Sequence, residues 1–261
     1  LFNSLFSWNY LRPLRKSFVG LGNFIQLFQD SLFRDAVFNT LVLVFFAVVS
    51  EFLIGLIAAL LIDTDLRGFR IIRALLLIPT MITPVVAALM WLLMYNTDFG
   101  ILRYLLETVN IRAPIWLADP KWALFSVLLV DVWQWTPFVI LLLLAGLKSI
   151  PDEIFEAATV DGASNVQMLF FVIFPCLRQI MLVVLLIRTM DALKFFDPIY
   201  VLTKGGPGSC TETVSFFVYR QGFRFFEVGY GSAAAILVLV LISLISRALI
   251  RTLGQVSSEM N

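Results

Sequence analysis

The chain has 261 residues, 60% of them hydrophobic and 14% charged, with a net charge of +1. A soluble domain carries roughly 25% charged residues, so the composition points to a membrane protein, and the near-neutral balance gives no sign of a nucleic-acid partner. Histidine is absent and there are two cysteines, Cys176 and Cys210. The commonest general base and metal ligand is therefore missing, and the two cysteines are neither a disulfide framework nor a metal quartet.

In chain order, LFNSLFSWNYL reads as the end of an apolar segment and the exit from it. A truncated membrane helix is expected at this N-terminus. Residues 12–35 are mixed and too charged to span. They contain Gly20-Leu21-Gly22-Asn23-Phe24. Five complete spans are predicted, over residues 37–62, 74–95, 122–147, 174–193 and 228–250, against the roughly 20 residues that cross a bilayer.

Glu51 sits near the middle of the first span. A membrane carboxylate is a functional candidate by default; the plainer alternative is that it faces a helix partner or packs protonated. The loop at 63–73 carries Arg67, Arg70 and Arg73. Pro79 and Pro84 bend the second span, and Trp116 is a candidate interface anchor. The third span contains a polar and aromatic patch from Asp131 to Pro137. The fourth carries Arg188 and Asp191, with Lys194 three residues on. Gly205-Gly206-Pro207-Gly208 marks a tight outer loop. The last span opens with Gly229 and a run of small residues that lets helices approach closely. The tail at 251–261 is polar and expected to be loose.

Between the third and fourth spans, the loop at 148–173 is the least membrane-like part of the chain. Ser149 with Asp152 gives a capping-box pattern, and Pro151 suits a first turn. Ile154, Phe155 and Ala158 fall on one side of the helix. Gly162 ends it, and Ser164 with Gln167 caps a second helix. The predicted order is helix, glycine corner, helix.

The same stretch reads Glu156-Ala157-Ala158, three residues, Gly162, nine residues, then Val172-Ile173-Phe174-Pro175. It resembles the EAA loop of the permease subunits of binding-protein-dependent ABC importers, with Val172 and Phe174 replacing that pattern's Ile and Leu. Phe196-Asp197-Pro198-Ile199-Tyr200, Gly205-Gly206-Pro207 and Thr211-Glu212-Thr213 are similar to the carbohydrate branch of that family. The resemblance covers nearly the whole chain. No G-x-x-x-x-G-K-[ST] phosphate loop occurs.

The resemblance implies an all-α polytopic protein with the type I ABC importer permease fold, a single transmembrane domain over 1–261. It implies a multi-pass protein of a bacterial or archaeal cytoplasmic membrane, with no cofactor, metal or ATP site of its own. Its expected partners are a second, homologous permease subunit, two ATPase subunits and an extracytoplasmic substrate-binding protein. Glu156, Ala157, Ala158, Asp161 and Gly162 would couple to the ATPase. The substrate path would be lined by Gln134, Trp135 and Phe138 on the third span, and by Arg188, Asp191, Ala192 and Phe195 near the fourth. The expected cargo is a sugar or polyol, moved by alternating access. Arg188 and Asp191 could instead pair with each other, and aromatic positions alone more often pack than bind. The alternatives are glycerol-3-phosphate, with Arg188 as charge partner, and an ATP-independent carrier, which would need no ATPase-docking loop.

Overall fold

The computed structural model describes residues 1–62 and 74–258. The three-arginine loop at 63–73 lies outside the described residues. The chain opens with a 3-10 turn, Phe2–Leu5, and a two-stranded antiparallel ribbon, β1 (Phe6–Ser7) and β2 (Ser17–Phe18), with Phe6 opposite Phe18. The α-helices are α1 (Gly22–Gln29), α2 (Ser31–Ile62), α3 (Ile78–Met81), α4 (Pro84–Met94), α5 (Ile101–Thr108), α6 (Pro120–Leu147), α7 (Asp152–Val160), α8 (Asn165–Gln167), α9 (Phe174–Ala192), α10 (Asp197–Leu202), α11 (Val214–Tyr219) and α12 (Val228–Ser258).

Among the described residues, four helical stretches are long and apolar enough to cross a membrane: Ser31–Ile62, Pro120–Leu147, Asn165–Leu202 and Val228–Thr252. A fifth span results if Ala74–Met81 and Pro84–Met94, bent by 98°, are counted together. The break follows from chemistry. Thr83 precedes a proline and is extended, with ψ 144°, because the Pro84 ring disfavours the helical region for its predecessor. Two helix starts are set by aspartates. Asp30 Oδ1 accepts from Leu32 N–H at 2.8 Å, so α2 begins before the expected residue 37. Asp119 Oδ1 accepts from Lys121 N–H at 3.0 Å, with Pro120 in the first helical position. The C-terminal tail is corrected: α12 continues to Ser258, since 251–258 has no proline and its one glycine is not enough to stop a helix already nucleated.

The described residues form two compact units. The first comprises Leu1–Ala47, Thr83–Asp131 and Asp191–Ile245. Its core packs Leu27, Phe33 and Ala36 with Val214, Phe217, Tyr230, Ala233 and Ala234. Asn39 on α2 donates to the carbonyls of Ser209 (2.9 Å) and Glu212 (3.1 Å). Thr40 Oγ1 accepts from Val214 N–H at 3.0 Å. These bonds satisfy loop groups that burial would otherwise leave unpaired.

The second unit comprises Val48–Ile82, Val132–Met190 and Ser246–Asn261, its last residues lying outside the description. Its core joins Leu56 and Ala59 of α2, Val139, Leu143 and Leu147 of α6, and Leu177 and Val184 of α9.

Candidate functional site

The loop after α6 belongs to the second unit. Ser149 does not cap α7: its Oγ donates back to Gly146 O at 2.7 Å, and Pro151 is the N-cap, with no side-chain cap bond. The expected capping box is thereby corrected. Proline's fixed φ suits the extended entry, and Asp152 and Glu153 in the first turn meet the positive end of the helix dipole. Phe155 and Ala158 are half-buried, and Phe155 packs on the core cluster that includes Ile150. Ile154, expected on that side, is exposed.

The C-terminus of α7 is a Schellman turn. Gly162 N–H donates to Thr159 O and Ala163 N–H to Ala158 O, both at 3.0 Å. Gly162 has φ +76°, with nothing within 4 Å of an added Cβ. The glycine is required by backbone conformation and not by crowding. The capping box at Ser164 is present: Gln167 Oε1 accepts from Ser164 N–H at 2.8 Å, and Ser164 Oγ accepts from Gln167 N–H at 3.4 Å.

From Met168 to Ile173 the helix widens to π geometry before α9. Pro175 cannot donate a backbone bond and its ring crowds the preceding turn, which a π turn relieves. Glu156, Ala157 and Asp161 are exposed, and among the described residues no cation meets the Glu156 carboxylate. Around them Val160 is 87% exposed and Phe171 78%, with Val166 and Phe170 also uncovered. Sequence reading missed this apolar surround, although Val and Phe in a polar loop were its signal.

Also in the second unit, Arg188 meets Glu51 at two points. Nε lies 2.5 Å from Oε2 and Nη2 2.7 Å from Oε1; both side chains are buried, at 2% and 0% exposure. The Trp135 ring centroid lies 4.9 Å from the guanidinium carbon, and Phe138 meets Trp135 edge-on at 6.2 Å. The identity of Glu51's partner was missed; its signal was an intramembrane acid and base, neither of which is stable alone in that medium. Gln134 Nε2 donates to Ile82 O at 2.8 Å, a carbonyl at the C-terminal end of α3 that the Thr83–Pro84 break leaves without a helical donor.

The remaining path candidates lie in the first unit. Ala192 is buried, while Asp191 and Phe195 are half-buried. Ala192 and Phe195 border a gap with Leu43, Val44, Ala47, Leu128 and Asp131 that is too narrow to hold a water molecule. The seven path candidates thus form two groups, Gln134, Trp135, Phe138 and Arg188 in one unit and Asp191, Ala192 and Phe195 in the other. Cys176 and Cys210 are free thiols, and no metal-binding cluster of three or more groups occurs among the described residues.

A family described as binding-protein-dependent transport system inner membrane component matches residues 51–255. The trehalose/maltose transport system permease protein MalF of Thermococcus litoralis is 39% identical over 227 residues, covering 87% of this chain and 77% of that protein. The trehalose transport system permease protein SugA of Mycobacterium tuberculosis is 37% identical, covering 94% and 78%. Among solved structures, a bacterial alginate ABC transporter in complex with an alginate pentasaccharide-bound periplasmic protein includes a similar chain. It has TM-score 0.80 and 25% identity, with 88% of this chain and 81% of that one covered.

Proposed function

Because the chain belongs to the binding-protein-dependent transport system inner membrane component family, we propose that it is the permease subunit through which an ATP-driven importer moves a sugar or polyol. It is a multi-span protein of the inner membrane. ATP hydrolysis falls to two separate ATPase subunits, substrate delivery to an extracytoplasmic binding protein, and the second half of the pathway to a homologous permease.

The loop at 148–173 is the ATPase contact. One observation carries this: an exposed acidic helix, α7, closed by the Gly162 turn and followed at once by a capped helix that leads into α9. Glu156 is the ion-pairing group. Ala157 permits close approach, while Ala158 and Phe155 seat α7 on its own bundle. Asp161 and Gly162 form the corner. A pull on α7 passes through the Gly162 corner to α8, which runs on through the π turn into α9, and alternating access follows from rigid-body motion of the spans.

A neutral polyhydroxy cargo fits better than an anion. The guanidinium of Arg188 already faces the Glu51 carboxylate, so a phosphate ester would have to displace it. Trp135 and Phe138 supply faces for sugar C–H surfaces; the named cargoes of MalF and SugA, trehalose and maltose, agree with this class. The test is uptake into vesicles holding the assembled transporter, with radiolabelled disaccharides, polyols and glycerol-3-phosphate. ATP-dependent accumulation of a sugar or polyol is expected. Accumulation of glycerol-3-phosphate alone, or uptake without the ATPase, contradicts the reading.

A further inference from the structure

Residues 1–29 carry three cations, Arg12, Arg15 and Lys16, and no Asp or Glu. The first unit holds this segment where two spans begin. From α1, Asn23 Nδ2 donates to Ser4 O (2.7 Å) and Phe6 O (3.0 Å), and α2 follows α1 at once. On the other side, Tyr10 N–H donates to Phe226 O at 2.9 Å and Gly229 N–H to Trp8 O at 3.1 Å. Asn9 Nδ2 donates to Glu227 Oε1 at 2.9 Å, one residue before α12. A Cβ on Gly229 would lie 1.9 Å from Phe6 O, so this approach needs glycine. The ribbon is therefore fixed at the level where α2 and α12 enter the bilayer.

Lys16 Nζ sits 5.0, 4.7 and 4.6 Å from the ring centroids of Phe2, Phe6 and Trp8. These cation–π contacts pin the base of the turn. Arg12 and Arg15 are exposed, and among the described residues no carboxylate meets either guanidinium. Nearby Asp30 is taken up by Tyr230 OH and Leu32 N–H, and Glu227 by Asn9. Beside the arginines, Tyr10 and Leu11 are exposed and Leu14 is 100% exposed. Bare leucines are unfavourable in water, whereas the cations between them are well solvated there. They suit the headgroup–acyl boundary, where apolar side chains insert and cations meet phosphate.

We propose that Arg12 and Arg15, braced by Lys16 on its aromatic seat, bind anionic phospholipid headgroups, with Leu11 and Leu14 inserted beside them. The surface would fix the height of the ribbon, and with it the entry of α2 and α12.

The assembled transporter is purified and its retained phosphatidylglycerol is measured against phosphatidylethanolamine. Arg12→Gln with Arg15→Gln should lower retention about five-fold per arginine, the factor for about 1 kcal/mol per surface cation. Arg12→Lys with Arg15→Lys should keep the wild-type ratio, which separates charge loss from misfolding. In a Cys176→Ser, Cys210→Ser background, Leu14→Cys carrying a fluorophore should be quenched by headgroup spin labels in vesicles containing phosphatidylglycerol. Unchanged retention in the glutamine variant, or a label equally water-exposed with and without anionic lipid, overturns the proposal. So does a loss of binding-protein affinity that is identical in both kinds of vesicle, which would assign the surface to a protein partner.

Discussion

Arg188 and Glu51 neutralise each other through a bidentate ion pair, 2.5 and 2.7 Å, between α9 and α2 within one unit. Two parallel bonds fix orientation as well as charge. In an environment this dry, the pair matters less for its net strength than for what each member would be alone. Glu51→Gln or Arg188→Gln should each destabilise the protein by about 3–5 kcal/mol. The double substitution should recover much of that loss. Thermal melting of the purified protein across the double-mutant cycle reads the coupling directly.

Gln134 stands at a different kind of junction. Its amide supplies the donor that the proline break takes from Ile82 O. Gln134→Leu should cost about 1–3 kcal/mol by leaving that carbonyl unpaired, while Gln134→Asn, too short to reach, should behave nearly as badly. If Gln134 instead serves only the substrate, stability will be unchanged and only the apparent KM for transport will move.

Gly162 tests conformation apart from packing. Its left-handed φ of +76° and the open space beyond it mean that a β-branched side chain is opposed by backbone strain alone, about 1–2 kcal/mol. Gly162→Val should lower stimulated ATPase activity with the complex still assembled. Gly162→Asn, which tolerates this region, should be milder.

The buried Glu212 predicts a pH dependence. Desolvation raises its carboxyl from 4.5 to about 7, with Arg220 pulling it down and Asp30 pushing it up; the Arg220 Nη1–Glu212 Oε2 distance is 2.8 Å. A raised folded-state value means the folded protein holds this proton more tightly than the unfolded chain. Its stabilising contribution is complete below about pH 4.5 and is lost as pH rises through about 7. Melting temperature should fall by a few degrees over that window, and Glu212→Gln should flatten the fall.

The spans were legible because long apolar runs leave few alternatives, and the glycine corner because Gly162 and the Ser164–Gln167 box are local signals that no distant contact overrides. Ser149 was misread for the opposite reason. Its hydroxyl can accept from the Asp152 amide or donate back to Gly146 O, and proline's preference for an extended entry moved the cap to Pro151. The Glu51–Arg188 pair spans 137 residues of sequence, and no local pattern carries information at that range. The ribbon at Phe6 and Phe18 was equally hidden. Its order depends on Asn9, Asn23 and Gly229, and each acts through a partner distant in the chain.

The most direct test of the coupling loop is ATPase stimulation by loaded binding protein, in vesicles containing the complete transporter. Wild type is compared with Glu156→Lys after assembly has been checked. Loss of stimulation and uptake together, with the basal ATPase rate retained, is the predicted result. Full stimulation in Glu156→Lys would reduce Glu156 to a solvated surface carboxylate and contradict the assignment of α7 as the ATPase contact.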